Sequence, residues 1–533
     1  MYSENKLLLG KSSQEGKPVY IYPSMANRHG LIAGATGTGK TVTLKVMAES
    51  FSDMGVPVFL ADIKGDLAGM ALAGVYGTTA DSRIEKMGLK DLGFEFKSYP
   101  ANYWDVFGEG GMPLRTTVTE MGPMLLSRIL GLNATQSDIM TVIFKIADDE
   151  GLLLVDTKDL RAMLQYVGEK RQEYSLAYGN IAPASLAAII RAVVALEADG
   201  GEKFVGEPAI DINDWIKRDE DGRGMMQLLD CRRLALNPRM YSTFLLWLMS
   251  ELFEALPEVG DVEKPKLVFF FDEAHMLFDS ASDALLAKIE QVVKLIRSKG
   301  VGIYFITQTP SDIPNGVLSQ LGNKVQHALR AYTPAEQKAV KAAAMSYREN
   351  PAFNTLEVLS ELGTGEALVS VLDEEGIPTV VERTKILPPQ SRMGAIDEDT
   401  RKAFTSASEL CDKYDDLVDR DSAYEFLERY HVELKEQAEE DARLAEEEKQ
   451  KAQEEKQAAR EAEKEKKEAE KKAAAEQRRK TAAAKSVTSS ITGTIGREAG
   501  KTVGGLFGSF GKKLGGNLGA SLGRGLAGTL FKK

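Results

Sequence analysis

A glycine-rich stretch near the start of the chain has residue types and spacing suited to phosphate binding. Residues 34–41 read GATGTGKT, after an apolar run and before a helical pattern over 41–54. Glycines let backbone N–H groups approach phosphate oxygens closely, at the positive end of the following helix. A glycine turn without a ligand is the alternative. The complete pattern favours a phosphate site, formed by Gly34, Ala35, Thr36, Gly37, Thr38, Gly39, Lys40 and Thr41.

Two acidic residues follow a strongly apolar run much later in the chain. Residues 267–273 read LVFFFDE, so a buried strand would deliver Asp272 and Glu273 to its carboxyl end, where ligands bind in open α/β sheets. Asp272 would hold Mg²⁺ through water together with the Thr41 hydroxyl, and Glu273 would deprotonate an attacking water. A strand-end turn is the alternative reading of these two acids.

The two patterns together indicate a nucleotide hydrolase. Lys40 would contact the β- and γ-phosphates, and a glutamate next to the aspartate favours an ATPase over a kinase. We expect ATP and Mg²⁺ as cofactors. Gln308 ends the next apolar run and would sense the γ-phosphate or position water, or else only cap a strand. Asp62 and Lys64, at the carboxyl end of the second strand, would support the site or form a turn.

Short apolar runs separated by amphipathic stretches must position these side chains. The predicted strands cover residues 30–34, 56–62, 94–99, 225–229, 267–272 and 301–308, and helical patterns cover 41–54, 240–256 and 283–297. The runs are too short for helices, and they are too uniformly apolar for strands with one face exposed to solvent. Alternation of strands and helices predicts a doubly wound α/β sheet.

The predicted organisation has six parts. Residues 1–115 and 201–395 form the two halves of the core, which ends with a strand segment at 366–381, and residues 116–200 form an inserted helical subdomain. A helical connector follows at 396–430. Residues 431–485 are rich in Glu and Lys at four-residue spacing, which predicts a solvated single helix, with a disordered linker as the alternative.

The last part, residues 486–533, is basic and rich in glycine. Glycines recur every four residues among leucines and phenylalanines, a spacing that allows close helix approach, and the lysines and arginines favour anionic partners. We expect this tail to dock on an anionic membrane surface or on other tails. A floppy tail without a fixed partner is the alternative, because glycine disfavours helix formation.

Charge and cysteine content exclude several classes of protein. The net charge is −12, and residues 1–431 carry 45 basic against 62 acidic side chains. Such an acidic body does not coat nucleic acid with its whole surface, so any DNA contact must be local. Two cysteines cannot build a disulfide framework. Because no signal peptide or long apolar window is apparent, we expect a cytoplasmic protein, peripherally membrane-bound through the tail if at all.

The order of these patterns resembles the HerA/FtsK group of hexameric P-loop motor ATPases, and in particular its bacterial HerA-like branch. The resemblance covers about residues 5–390 and includes GATGTGKT at 34–41, ADIKGDL at 61–67, VFFFDEAH at 268–275, RSKGVGIYFITQTPSDIP at 297–314 and GNKVQHALR at 322–330. It implies a RecA-like P-loop sheet, a homohexameric ring and translocation on double-stranded DNA.

The resemblance also implies a residue acting between subunits. Arg330 matches the position of the family's late arginine and would act as an arginine finger in the neighbouring ATP site, with a plain surface arginine as the alternative; Arg297 and Arg383 are weaker candidates. The family's N-terminal β-barrel, which docks a nuclease, has no room before residue 34, so we expect no nuclease partner. An ATPase that drives assembly of a protein or membrane complex is the competing function.

Overall fold

The computed structural model describes residues 1–3, 5–77, 79–279 and 283–484. Its central element is a thirteen-stranded sheet within this described part of the chain. The strands are β1 Tyr2–Ser3, β2 Lys6–Ser12, β3 Pro18–Ile21, β4 Gly30–Ala33, β5 Val58–Asp62, β6 Ala101–Asp105, β7 Met112–Pro113, β8 Met226–Asp230, β9 Leu267–Phe271, β10 Val301–Thr307, β11 Asn323–Gln326, β12 Glu366–Ser370 and β13 Glu382–Ile386.

The sheet has a parallel centre and an antiparallel edge. The order of strands is β1-β2-β13-β12-β11-β4-β10-β9-β5-β8-β6-β7, with β3 paired to β2 outside this path. All neighbours from β11 to β7 are parallel, and the pairs among β11, β12, β13, β2, β1 and β3 are antiparallel. The carboxyl ends of β4, β10, β9 and β5 therefore lie side by side at one edge of the sheet.

Helices cover both faces of the sheet. They are α1 Lys40–Asp53, α2 Thr79–Lys86, α3 Val118–Ile129, α4 Ala134–Glu150, α5 Thr157–Glu169, α6 Arg171–Tyr178, α7 Pro183–Ala198, α8 Gly201–Phe204, α9 Pro238–Ala255, α10 His275–Phe278, α11 Asp283–Ile296, α12 Asn315–Leu318, α13 Pro334–Met345, α14 Thr355–Glu361, α15 Glu398–Ser406, α16 Cys411–Tyr414 and α17 Ala423–Ala484.

The apolar runs of the parallel strands are explained by burial on both faces. Phe269 and Phe271 point into a core shared with α9 and α11, whereas Val268 and Phe270 pack in a second core with α1. Because successive side chains of a strand point to opposite faces, neither face of β9 can be polar. This arrangement confirms the predicted α/β class and its RecA-like P-loop sheet.

One predicted strand is wrong. Residues 94–99 form no strand; the ladder begins after Pro100, as β6 Ala101–Asp105, which pairs with β8. The segment before it is held by isolated contacts instead, for example from Tyr99 N to Met70 O at 3.1 Å. Phe94 and Tyr99 are buried in side-chain clusters, so their apolar character reflects packing and not strand pairing.

A group of helices lies between β7 and β8 in the chain. Helices α3, α4 and α5 each start with a capping box, in which Thr117, Asn133 and Asp156 accept hydrogen bonds from the backbone of the first turn. Within the described residues, no single helix has the length and apolar character needed to cross a membrane. Among these described helices, α6 and α7 taken together have that length and apolar character, but the pair is bent by 103°.

A segment after β13, residues 387–394, crosses back over α1, and we call it the C-terminal strap. The buried Glu49 carboxylate accepts hydrogen bonds from Gln390 N at 2.8 Å and Ser391 N at 3.0 Å. The equally buried Lys45 donates to Arg392 O at 2.7 Å. These bonds satisfy two charged groups inside the protein, which would otherwise be strongly destabilising.

The compact unit Met1–Lys435 is followed by a second unit that starts at Glu436. The described part of the second unit is the remainder of α17, whose side chains up to residue 478 are exposed. The charged helix predicted from the sequence is thus present, and one pair at the predicted four-residue spacing, Glu463 with Lys467, has an N–O distance of 2.7 Å. The predicted glycine-rich tail, residues 486–533, lies outside the described residues.

Candidate active site

The phosphate-binding loop connects β4 to α1, as its sequence pattern predicts. Its start is tied to the flanking strands: Gly34 N donates to Thr307 O at 3.2 Å and Ala35 N to Ala328 O at 2.9 Å. Gly37 and Gly39 have φ values of +77° and +117°, a region that side chains with a Cβ rarely adopt. The glycines are therefore required by the backbone path of the loop itself.

Lys40, the first residue of α1, lies across this loop. Its buried ammonium donates to Gly34 O at 2.6 Å and to Ala35 O at 3.2 Å. Burial lowers the pKa of Lys40, and the nearby carboxylate of Glu273 acts in the opposite direction. A phosphate group would offer this ammonium charged oxygens in place of two neutral carbonyls, which is a stronger interaction.

His327 supports the loop from the neighbouring strand and had no role in the sequence prediction. Its Nδ1 donates to Glu366 O at 2.9 Å, so its Nε2 accepts from the Thr43 hydroxyl at 2.8 Å. A Cβ added at Gly34 would lie 2.5 Å from the His327 Cβ. The sequence carried no signal for this contact, because residues 43 and 327 are 284 positions apart.

The predicted acidic pair lies at the carboxyl end of β9. Asp272 is buried, which raises its pKa to about 6, and its Oδ1 accepts from Glu273 N at 2.9 Å. Glu273 has a φ of +46°, which is unusual for a residue other than glycine and often marks functional sites. The turn is fixed by the bond from Ala274 N to Ile306 O at 2.8 Å.

Lys64 joins this group from the carboxyl end of β5. Its ammonium lies 2.7 Å from Glu273 Oε1 and 4.0 Å from Asp272 Oδ2. Burial, the largest single influence, raises the pKa of the Glu273 carboxyl, but the hydrogen bond and charge of Lys64 together with the charges of His275 and Lys40 lower it overall. The site thus contains two lysines and two carboxylates, with Glu273 held in its ionised form.

The remaining predicted residues of the core site lie at the same edge. Gln308 directly follows β10, which separates the loop strand β4 from β9, and its side chain is exposed. Thr41 is half-buried at the start of α1. The structure therefore brings residues 34–41, Asp272, Glu273 and Gln308 to one edge of the sheet, as the sequence predicts.

The three arginines considered as fingers have partners within their own chain. Arg330 is exposed, and its guanidinium donates to Ser360 O and, at 3.5 Å, to Leu362 O, at the end of α14. Arg383 pairs with Glu366 at 2.7 Å, and Arg297 lies 3.5 Å from Asp261. The single chain therefore does not place any of these side chains on its own phosphate loop.

The donor set suits a hard cation. Asp272 Oδ2 accepts no hydrogen bond from the described residues, and the Thr41 hydroxyl stands at the start of α1. Mg²⁺ prefers oxygen ligands and is held by one or two protein groups plus phosphates and waters. Asp272 and Thr41 are therefore the residues that could hold Mg²⁺ beside a bound nucleotide.

Comparisons with known proteins identify the family of this chain. Residues 7–514 match the family model described as Helicase HerA-like C-terminal. The chain is similar to a probable helicase from Methanocaldococcus jannaschii, with 31% identity over 122 residues, which is 23% of this chain and 22% of that protein. It is also similar to the DNA double-strand break repair helicase HerA of Sulfurisphaera tokodaii, with 26% identity over 148 residues, or 28% of each protein.

These alignments thus span about a quarter of the length of the curated relatives. Among solved structures, VirB4 of Thermoanaerobacter pseudethanolicus is 16% identical and aligns over 72% of this chain and 97% of that one, with a TM-score of 0.46. The family model, in contrast, covers nearly the whole sequence and includes both the loop at 34–41 and the acidic pair at 272–273. The chain belongs to the helicase HerA-like C-terminal family of P-loop ATPases.

Proposed function

We propose that this chain is a Mg²⁺-dependent ATPase that works as a homohexameric ring and moves along double-stranded DNA. One observation carries the catalytic part: the phosphate loop after β4 and the Asp272–Glu273 pair after β9 lie at the same sheet edge, one strand apart. A γ-phosphate held by the loop and Lys40 would therefore face the acidic pair.

Each protein group has a defined part in this hydrolysis. Lys40 neutralises charge on the β- and γ-phosphates, and Mg²⁺ held by Asp272 and Thr41 would stabilise the same charge. Glu273 accepts a proton from water as the water oxygen bonds to the γ-phosphorus. The bond from the γ-phosphorus to the bridging oxygen breaks, and ADP leaves with that electron pair.

DNA as the track is supported by the family, and the charge of the chain limits where DNA could bind. The family model bears the name of a helicase, and the Sulfurisphaera tokodaii relative is named as a DNA repair helicase. The acidic composition of residues 1–431 restricts DNA contact to a local surface, which the channel of a ring would provide. The same acidity favours the competing function, an ATPase that assembles a protein or membrane complex.

Steady-state ATP turnover with and without linear duplex DNA tests the proposal. We expect Mg²⁺-dependent turnover that duplex DNA stimulates, loss of nucleotide binding or turnover in Lys40→Ala, and tight binding without hydrolysis in Glu273→Gln. Turnover that duplex DNA leaves unchanged would favour the assembly function. Wild-type turnover in Glu273→Gln would remove this residue as the base.

The ring requires a separate measurement. Electron microscopy of the full chain with a non-hydrolysable ATP analogue, with and without duplex DNA, should show six-fold rings and DNA passing through them. Single subunits under both conditions would contradict the ring, even if ATP turnover is present.

A further inference from the structure

Lys64 is the described side chain that donates a hydrogen bond to the carboxylate of Glu273. Its Nζ atom lies 2.7 Å from Glu273 Oε1. The other lysine of the site, Lys40, does not compete for this oxygen, because it donates to carbonyls of its own loop. The contact joins two neighbouring strands, since β5 and β9 pair in parallel and both end at this edge.

The turn that carries Lys64 is fixed by the protein and is not a loose loop. Asp62, which ends β5 and is 3% exposed, accepts hydrogen bonds from Gly65 N at 2.7 Å and from Leu67 N at 3.0 Å. Gly65 has a φ of +76°, so the chain reverses sharply just after Lys64. The position of the Lys64 backbone is therefore set before any nucleotide binds.

At the other end of the contact, the two carboxylate oxygens of Glu273 differ in their hydrogen bonding. Oε1 receives the Lys64 ammonium, whereas Oε2 is buried and accepts no hydrogen bond from the described residues. His275 Nδ1 lies 3.5 Å from Oε2. A buried carboxylate oxygen without a donor is unfavourable, and a water molecule in that place would satisfy it.

We propose that Lys64 is a positioning residue for hydrolysis: it holds Glu273 through Oε1 and leaves Oε2 to accept the proton of the attacking water. This inference rests on the proposed ATPase function and assigns Lys64 a part in it. Lys64 bonds Glu273 at 2.7 Å and lies farther from Asp272 Oδ2, at 4.0 Å, so it should act mainly through Glu273 and affect the rate of the chemical step more than the binding of ATP.

The test compares Lys64→Met, Lys64→Arg and a matched control. Lys97→Met removes a lysine with a similar ion pair, 2.6 Å from Asp53 and 38% exposed, against 2.7 Å and 45% for Lys64. We expect Lys64→Met to lower kcat by about 10-fold or more, with KM and the affinity for a fluorescent ATP analogue changed less than about 2-fold. Lys64→Arg should retain more activity, and Lys97→Met should keep wild-type kcat.

A double variant separates positioning from a general structural effect. In the Glu273→Gln background, Lys64→Met should lower the residual turnover no further, because its effect passes through the ionised glutamate. A kcat of Lys64→Met equal to or above wild type would overturn the inference. The same holds if Lys64→Met lowers the turnover of Glu273→Gln by the same factor as it lowers wild type.

A second measurement does not depend on turnover. The Tm shift caused by Glu273→Gln should be smaller in the Lys64→Met background than in wild type, because the ion pair is already lost. Equal shifts in both backgrounds would overturn the contact itself. An inactive wild-type protein would contradict the proposed function. The comparison of Tm shifts in the two backgrounds would still decide whether Lys64 holds Glu273.

Discussion

The imidazole of His327 accepts a hydrogen bond of 2.8 Å from the hydroxyl of Thr43, and this bond links strand β11 to the helix that follows the phosphate loop. His327 also packs against Gly34 so closely that no Cβ fits between them. The loop conformation therefore depends on a neutral, buried side chain, which is held in turn by its hydrogen bond to Glu366 O.

We expect His327→Ala to weaken nucleotide binding. The substitution leaves the buried Thr43 hydroxyl without its partner and opens space under the loop, a loss of about 1–3 kcal/mol in stability. Titration with a fluorescent ATP analogue and thermal unfolding measure the two effects. His431→Ala is the control, because that histidine is 43% exposed and should change neither value. Unchanged nucleotide affinity in His327→Ala would contradict this support of the loop.

The buried histidine His29 should make the protein less stable as the pH falls below 6.5. His29 Nδ1 accepts from Ile303 N at 3.0 Å, so Nε2 carries the proton and donates to Val293 O at 2.8 Å. Burial lowers the pKa of His29 from 6.5 to about 4. Because the folded-state pKa is below the unfolded-state value, this stability is present above pH 6.5 and is lost as the pH falls towards 4.

The measurement is the free energy of unfolding across this pH window. Each such histidine contributes a slope of about 1.4 kcal/mol per pH unit. His29→Asn should reduce the slope between pH 6.5 and 4, because an amide does not titrate in this range and its oxygen can still accept from Ile303 N in the place of Nδ1. An identical slope in His29→Asn would show that His29 does not titrate on unfolding.

Arg330 should act on a neighbouring subunit if it is the finger of the ring. We expect Arg330→Ala to bind ATP normally but to hydrolyse it at least about 100-fold more slowly. Mixing it with Lys40→Ala should restore partial turnover, because some interfaces then combine an intact loop with an intact arginine. A mixture as inactive as its components would argue that Arg330 serves only the end of α14, where it donates to the carbonyl oxygens of Ser360 and Leu362 in the single chain.

The glycine-rich tail should direct the protein to its partner without affecting catalysis. Deletion of residues 486–533 should leave basal ATP turnover intact and abolish co-sedimentation with anionic liposomes at low salt, where electrostatic attraction is strongest. Equal sedimentation of the full and shortened chains would exclude the membrane. Tail–tail association would then be tested by particle size.

The sequence predicted best those parts of the site whose residues are close together in the chain. The loop at 34–41 and the acids at 272–273 each directly follow an apolar run within one strand-and-turn unit. The local sequence pattern therefore predicts their position at the carboxyl end of a strand. The pairing of β6 could not be read in this way, because residues 94–99 and 101–105 are equally apolar and only the position of β8 decides which segment joins the sheet. Local patterns identify reactive groups but not the strands beside them.

The contacts of the site that the sequence did not predict join residues that are far apart in the chain. His327 and Thr43 meet across 284 positions, Lys64 and Glu273 across 209, and Arg330 reaches carbonyls 30 and 32 residues later. Asp62 and Lys64 could be placed near the site because they follow a predicted strand. The contact of Lys64 with Glu273, however, depends on the adjacency of β5 and β9, which alternation of strands and helices does not specify.

The C-terminal strap has a consequence for synthesis of the protein. Lys45 and Glu49 lie on the helix that begins at the phosphate loop, yet their partners at residues 390–392 are translated more than 340 codons later. Until then, a nascent chain would have to bury two charged groups without those backbone partners, which is strongly unfavourable. The nucleotide site should therefore mature only after residue 392 has left the ribosome, although its loop is among the first segments made.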